Sequence, residues 1–404
     1  MYIPHIVLMF MVMLLFAVIL VPLAKRIHLP FSALLVLGGF FGSELIVALG
    51  FDTGLRWHHF HDLIFFVLLP SLIFESAINL NIKLFFKNLL LILILSIPLM
   101  LLSALVAAII LYFGVSHVGF PFIAALLAGV ILSATDPVAV LDLFKRLNAP
   151  KRLSVLVDGE SLLNDATAIV AFGIILSMIQ TNEVSFTISS SFLLFIKIFF
   201  GGIAVGLLIG GLSILLYRIK LSNTIQGVLS LVSAYGSFII AEEIFHVSGV
   251  MAVLVTGLAI GWQRGLHPKE YTHFLEELWQ YNAYIANAMV FLLMGITITV
   301  GMFMQQWEAM ILGIVAILLS RAIAIFGFIP LLSKLPGIEK VSIGYQVIMF
   351  WGGLRGAIVL ALALSLPLEL DYWYTIQSIA YGVVIFTLFV QAPIIGLLMK
   401  KFRL

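Results

Sequence analysis

Two aspartates buried in apolar runs, Asp136 and Asp165, are the residues of this chain whose neighbours suggest chemistry. The run GVILSATDPVAVLDLF (129–144) sets Asp136 directly before Pro137. Proline removes a backbone donor and disfavours helical geometry at the residue before it, so a helix carrying this run breaks there. Ser133, Thr135 and the freed carbonyls then offer oxygen beside a carboxylate. The run LVDGESLLNDATAIV (156–170) is a different device. At about 100° per residue, Glu160, Ser161, Asn164 and Asp165 fall at roughly 0°, 100°, 40° and 140°, with Thr167 near −20°. They make one hydrophilic wall whose five side chains all carry oxygen, which suits a hard cation such as Na⁺ better than a soft metal. A plain polar seam between helices more often uses Ser and Thr alone.

A third run, VIMFWGGLRGAIVLALAL (347–364), surrounds Arg355 with Gly352, Gly353 and Gly356. Glycine weakens a helix, so this segment too is expected to be interrupted. Other ionisable residues at membrane depth are Glu75 and Arg321; Asp142, Asp158, Lys197, Glu242 and Glu243 lie nearer segment ends and are expected to reach interfacial water.

The elements that position these groups are membrane helices. Of the 404 residues, 63% are hydrophobic and 10% charged. A soluble domain is nearer 45–50% apolar and about 25% charged, so the surplus faces lipid. A net charge of +2 leaves nucleic acid no electrostatic footprint, and the absence of cysteine excludes disulfides, thiolate nucleophiles and cysteine-bound metals. The N-terminal segment reads as a retained span rather than a cleaved signal. At about 20 apolar residues per crossing, thirteen segments result, at approximately 4–24, 30–50, 62–80, 88–113, 119–144, 153–180, 189–217, 222–243, 247–263, 273–300, 305–330, 341–366 and 373–399. Alternate connections then collect 17 of the 21 Lys and Arg on one side, from Lys25 and Arg26 through Lys145, Arg146, Lys151 and Arg152 to Lys400, Lys401 and Arg403. Arg56 is alone on the other side; Lys197, Arg321 and Arg355 lie within segments. The positive-inside rule puts the N-terminus outside and the C-terminus in the cytoplasm. Segments five and twelve, seven apart, run in opposite directions, and paired interruptions in two inverted halves point to a transporter binding site.

The motifs SATDPVAVLDLF (133–144), GESLLNDATAIV (159–170) and WGGLRGAIV (351–359) resemble the core signatures of the NhaP/NHE type of monovalent cation–proton antiporters. LLPSLIFESAINL (68–80), AEEIFHVSGVMAVLVTGL (241–258) and NAMVFLLMGI (287–296) fit the same family in the same order. The resemblance implies an all-α membrane protein with about thirteen transmembrane helices in two inverted six-helix repeats, broken in helices 5 and 12. It implies one membrane transporter domain over residues 1–404: a moving core at about 88–180 and 305–399, and a dimerising scaffold at about 4–80 and 189–300. The cation site would use Asp165, Asp136, Ser161 and the Thr135 carbonyl. Glu160 would pair with Arg321, and Asn164 stands where electrogenic relatives carry a second aspartate, which implies electroneutral one-for-one exchange. A homodimer in a prokaryotic inner membrane, with no cofactor beyond the transported Na⁺ and H⁺, is the further implication.

The expected mechanism follows from the cost of burying charge. A bare carboxylate is costly to move through a dry barrier, and either a proton or a cation removes that cost. Competition for Asp165 thereby couples the two fluxes. K⁺ in place of Na⁺ is the nearest alternative cargo. A channel is the rival class, but channels build filters from symmetric rings around an axis, unlike interruptions in two halves of one chain. A metalloprotease wants H-E-x-x-H, and none of the nine His sits so. His58, His59 and His61 cluster in one connection and read as a solvated group before a metal site.

Overall fold

The computed structural model describes residues 3–27, 30–48, 63–115, 120–181, 188–219, 222–264, 269–402 and 404; His58, His59, His61 and Arg56 lie outside them. Every regular element among the described residues is a helix. Apart from the short helix Ile82–Lys87, we label them α1 (Ile3–Ile27), α2 (Phe31–Ala48), α3 (Leu63–Asn79), α4 (Leu89–Gly114), α5 (Phe122–Ser133), α6 (Val138–Leu147), α7 (Lys151–Thr181), α8 (Ile188–Tyr217), α9 (Asn223–Ile244), α10 (Gly249–Arg264), α11 (Lys269–Thr297), α12 (Val300–Leu332), α13 (Ile343–Trp351), α14 (Ala357–Leu364) and α15 (Trp373–Phe402). Among the described residues, seven helical runs are long and apolar enough to cross a membrane, one of them Phe122–Leu147, which α5 and α6 form together; α1, α2, α3 and α10 hold shorter apolar stretches. The all-helical, many-span class expected from the sequence is present, with both expected interruptions: residues 134–137 separate α5 from α6, and 352–356 separate α13 from α14.

The helices pack as two groups. In one, α2 lies along α11, α8 along α10, and α10 against α3 and α9. In the other, α4 packs on α5 and α12, α12 on α15, and α7 on α4 and α5. The core of the molecule is α7, whose most apolar stretch is 72% buried, against 22% for α8. Phe192, Phe200, Leu207, Leu208 and Leu215 of α8 point outward, as a lipid-facing surface requires.

Close packing places the polar residues. Gly257 and Gly261 of α10 lie against Ala77 and Ile78 of α3, and a Cβ at Gly261 would meet the Ile78 carbonyl at 2.8 Å. In the second group, Arg152 in the first turn of α7 donates to the carbonyls of Glu339 (3.0 Å) and Lys340 (3.0 Å) and to Asn88 Oδ1 (3.1 Å). Glu339 also pairs with Lys87 at 2.8 Å and with Arg152 at 3.2 Å. This clamp ties the start of α4 and α7 to the connection before α13. The Lys87 hydrogen bond, with the Arg152 charge, holds the Glu339 carboxyl below its usual range. A carboxyl whose folded value is lowered adds stability above its unfolded value and loses it as pH falls through the lowered one. Glu339→Gln is thus expected to lower the melting temperature slightly at pH 7, and by less as the pH falls into the acid range where the carboxyl takes up its proton. Thermal unfolding in detergent across that pH range checks this.

Candidate ion-binding site

The two interruptions cross, and their backbones are satisfied by one another and by α7. The Asp136 N–H donates to the Leu354 carbonyl at 2.8 Å. Asp136 Oδ1 accepts from the Val138 N–H at 3.0 Å, and Oδ2 accepts from the Ala357 N–H at 3.1 Å. One carboxylate therefore caps the N-terminal ends of both half-helices, α6 and α14, where the helix dipole favours negative charge. Arg355 does the converse. Its Nε donates to the Leu132 carbonyl at 2.9 Å and its Nη1 to the Gly353 carbonyl, both at C-terminal ends of half-helices. Its backbone N–H meets Thr387 Oγ1 of α15 at 3.2 Å.

Carbonyls that the Asp-Pro break frees find donors on α7. Asn164 Nδ2 donates to the Ser133 carbonyl at 3.0 Å, and Ser161 Oγ donates to the Thr135 carbonyl. Unpaired backbone groups are tolerated at membrane depth only against protein or water, so this wall makes the break possible. Glu160 points elsewhere on α7. Arg321 of α12 grips it in a bidentate pair, with both N–H···O distances 3.0 Å, and also donates to the Met349 carbonyl at the end of α13. The ion pair is buried and fully hydrogen-bonded, the condition under which a buried pair is not a liability.

Asp165 differs from these residues. It is 7% exposed, and its Oδ1 has no hydrogen-bond partner among the described residues. It lines a cavity of about 50 Å³, enough for a cation with some of its water. Asp136, Ser161 and Asp158 line the cavity from the second helix group; Glu75 of α3 and Asn287 of α11 line it from the first. The cavity thus lies between the two groups.

All the residues singled out from the sequence as the site converge on this crossing, with different partners. Asp136, Ser161 and Asp165 reach the cavity; Thr135 and Asn164 close the break behind it; Glu160 and Arg321 line a smaller space on the far side, with Arg355. Thr167 does not extend the wall: it is buried and donates to the Leu163 carbonyl of its own helix at 2.8 Å. Asp158, expected near interfacial water from its place by a segment end, is half-buried and lines the cavity. Its signal lies in spacing, seven residues before Asp165 and so nearly the same face of the helix. Glu75 is legible as a deep carboxylate but carries no sign that α3 faces α7. Lys197, Asp142 and Glu243 are exposed, whereas Glu242 is half-buried and accepts from the Gly249 N–H at 2.8 Å.

Gly356 allows the crossing to be this close, because a Cβ there would collide with the Asp136 carboxyl group. At Gly327 of α12, nothing lies within 4 Å of the place a Cβ would take. Gly356→Ala is expected to lower the melting temperature by displacing Asp136, and Gly327→Ala to leave it unchanged. Thermal unfolding of the two purified variants makes the comparison.

A helical membrane protein with two crossing interrupted segments, and a buried, part-unpaired carboxylate at the interface of two helix groups, is the architecture of a secondary transporter. Residues 11–401 match the transmembrane family of sodium/hydrogen exchangers, and the chain belongs to that family. The sequence is 36% identical over 350 residues to the Na⁺/H⁺ antiporter ApNhaP of Aphanothece halophytica, covering 85% of this chain and 65% of that protein. It is 34% identical over 383 residues to the low-affinity Na⁺/H⁺ antiporter NhaS1 of a Synechocystis strain, covering 92% and 69%. The chain therefore spans about two thirds of the length of these relatives. Its fold matches the structure of the sodium proton antiporter MjNhaP1 of Methanocaldococcus jannaschii with a TM-score of 0.83, at 19% identity and 98% coverage of both chains.

Proposed function

We propose that this chain exchanges Na⁺ or Li⁺ for H⁺ across a membrane, one for one, by alternating access. Proton and cation compete for Asp165. The observation that carries the reading is the Asp165 carboxylate: buried, short of a partner at Oδ1, and open to a cavity with Ser161 and Asp136. Na⁺ takes oxygen ligands, and Asp165, Ser161, Asp136 and the Thr135 carbonyl are the set we assign to it. Binding to Oδ1 supplies the missing partner, as does protonation.

The one-for-one ratio rests on what the other polar groups do. Glu160 is held by Arg321, Asp136 caps two helix ends, and Asn164 carries no charge. Of these carboxylates at the crossing, Asp165 is then the one left to change partners during a cycle. Relatives at more than 30% identity bear the name Na⁺/H⁺ antiporter, which supports Na⁺ over K⁺ as cargo. In this reading α4–α7 and α12–α15 form a core that shifts against a scaffold of α1–α3 and α8–α11, and the cavity between them opens to alternate sides. Thirteen crossings, an outer N-terminus, a cytoplasmic C-terminus, a homodimer and a prokaryotic inner membrane complete it.

The test uses purified protein in proteoliposomes containing a pH dye. Addition of Na⁺ or Li⁺ is expected to move protons at a rate that an imposed potassium-diffusion voltage leaves unchanged. A clear voltage response contradicts the one-for-one ratio, and a response to K⁺ equal to that for Na⁺ reassigns the cargo.

A further inference from the structure

A hydrogen-bonded line runs from the end of α10 into the cavity. Glu276 Oε1 of α11 accepts from Arg264 Nη2 at 2.9 Å. Arg264 Nη1 donates to Asn79 Oδ1 at 3.2 Å, and Asn79 Nδ2 donates to Glu75 Oε1 at 2.9 Å. Glu75 lines the cavity that holds Asp165. The line joins α11, α10 and α3, all in the first helix group, so it belongs to the wall that faces the broken helices rather than to the breaks themselves.

The line has a direction. An amide side chain has one accepting oxygen and one donating nitrogen. With Oδ1 committed to a guanidinium, Asn79 can offer Glu75 only its NH₂. The guanidinium is in turn fixed by Glu276, to which it donates a charge-assisted hydrogen bond. Asn79 occupies one oxygen of Glu75 and leaves Oε2 for a cation. The tight contact of Gly257 and Gly261 with α3 is what brings Arg264, one turn further along α10, up to the last residue of α3. A longer side chain at Gly261 would press on the Ile78 carbonyl and separate Arg264 from Asn79.

We propose that Arg264 is a positioning residue of the cation pathway, which acts through Asn79 to hold Glu75 at the cavity wall. The inference rests on the exchange reading above. Glu75 also faces charge from the other group: Lys145 and Asp142 of α6 lie within electrostatic reach of it, and Asp158 and Asp165 share its cavity. Without Arg264, the Asn79 amide can turn its oxygen toward Glu75, and the carboxylate is then repelled toward Lys145. The cation loses a preplaced oxygen. Affinity for the cation is affected, while the core movement that limits the maximal rate is not.

The experiment measures the half-saturating Na⁺ concentration of exchange in proteoliposomes, and in parallel the stabilisation of the purified protein by Na⁺ in thermal unfolding. Arg264→Gln and Asn79→Ala are each expected to raise half-saturation by about five- to tenfold, with the maximal rate within about twofold of the parent. Arg264→Lys restores part of the affinity, because an ammonium still donates to Asn79. In a Glu75→Gln background, Arg264→Gln adds nothing, since its effect runs through that carboxylate. An unchanged half-saturation in both single variants overturns the inference, as does an equal shift with and without Glu75. If Arg264→Gln does not fold, Asn79→Ala in the two backgrounds decides alone. Absence of exchange by the parent protein contradicts the functional reading itself, and Na⁺ stabilisation still reports whether Arg264 and Glu75 are coupled.

Discussion

Asp165→Asn is expected to abolish Na⁺-driven proton movement while the protein still folds and inserts. The substitution keeps the shape of the side chain and removes the charge that attracts a cation. It also removes the proton-binding group, so neither half of the exchange has a carrier. Folding is spared because Asp165 Oδ1 makes no hydrogen bond among the described residues, so the substitution leaves no partner of that atom unpaired. An asparagine amide in this cavity is cheaper to bury than a bare carboxylate, so thermal stability is expected to be equal or higher. Melting temperature and exchange therefore move in opposite senses, a pattern that simple misfolding does not produce. Retained exchange in the variant contradicts the assignment of Asp165.

Arg321→Met is expected to do the opposite and act on the fold. It leaves Glu160, 3% exposed, as an uncompensated buried charge and takes a donor from the Met349 carbonyl. Breaking a buried pair on one side costs about 3–5 kcal/mol, a large share of the stability of a domain. The variant should be recovered in small amounts and unfold at lower temperature. Adding Glu160→Gln removes the orphaned charge and is expected to restore most of the loss, although the Met349 carbonyl still lacks its donor. A single variant as stable as the parent shows that the pair does not hold α7 and α12 together.

Much of the site is legible in the sequence because its local rules are strong. Asp136 before Pro137 forces a break whatever surrounds it, and the glycines around Arg355 permit a second. The helical spacing of Ser161, Asn164 and Asp165 puts them on the side of α7 that meets the break, whereas Glu160, expected on the same wall, turns to Arg321. Composition alone points to a helical membrane protein. Pairings across long separations are not legible. Spacing does not reveal that the Asp136 carboxylate reaches a helix end 221 residues away, or that Arg355 serves the Leu132 carbonyl 223 residues away. The pairing of Glu160 with Arg321 comes from family resemblance, and the bidentate contact is present. The place of Glu75 and Asp158 in one cavity is hidden for the same reason. Depth along a helix can be read from a sequence, but the helix that a given face meets is set by tertiary packing, here by Gly257 and Gly261 against α3.

Competition at one carboxylate is the central claim, and the dependence of cation affinity on pH tests it most directly. Half-saturating Na⁺ is measured for exchange in proteoliposomes across pH, with the maximal rate recorded at each value. If one proton and one cation share Asp165, half-saturation rises by about tenfold for each unit by which pH falls on the acidic limb, while the maximal rate at saturating Na⁺ stays level. A half-saturation that does not change with pH, alongside a maximal rate that does, contradicts a shared site and requires separate groups for proton and cation.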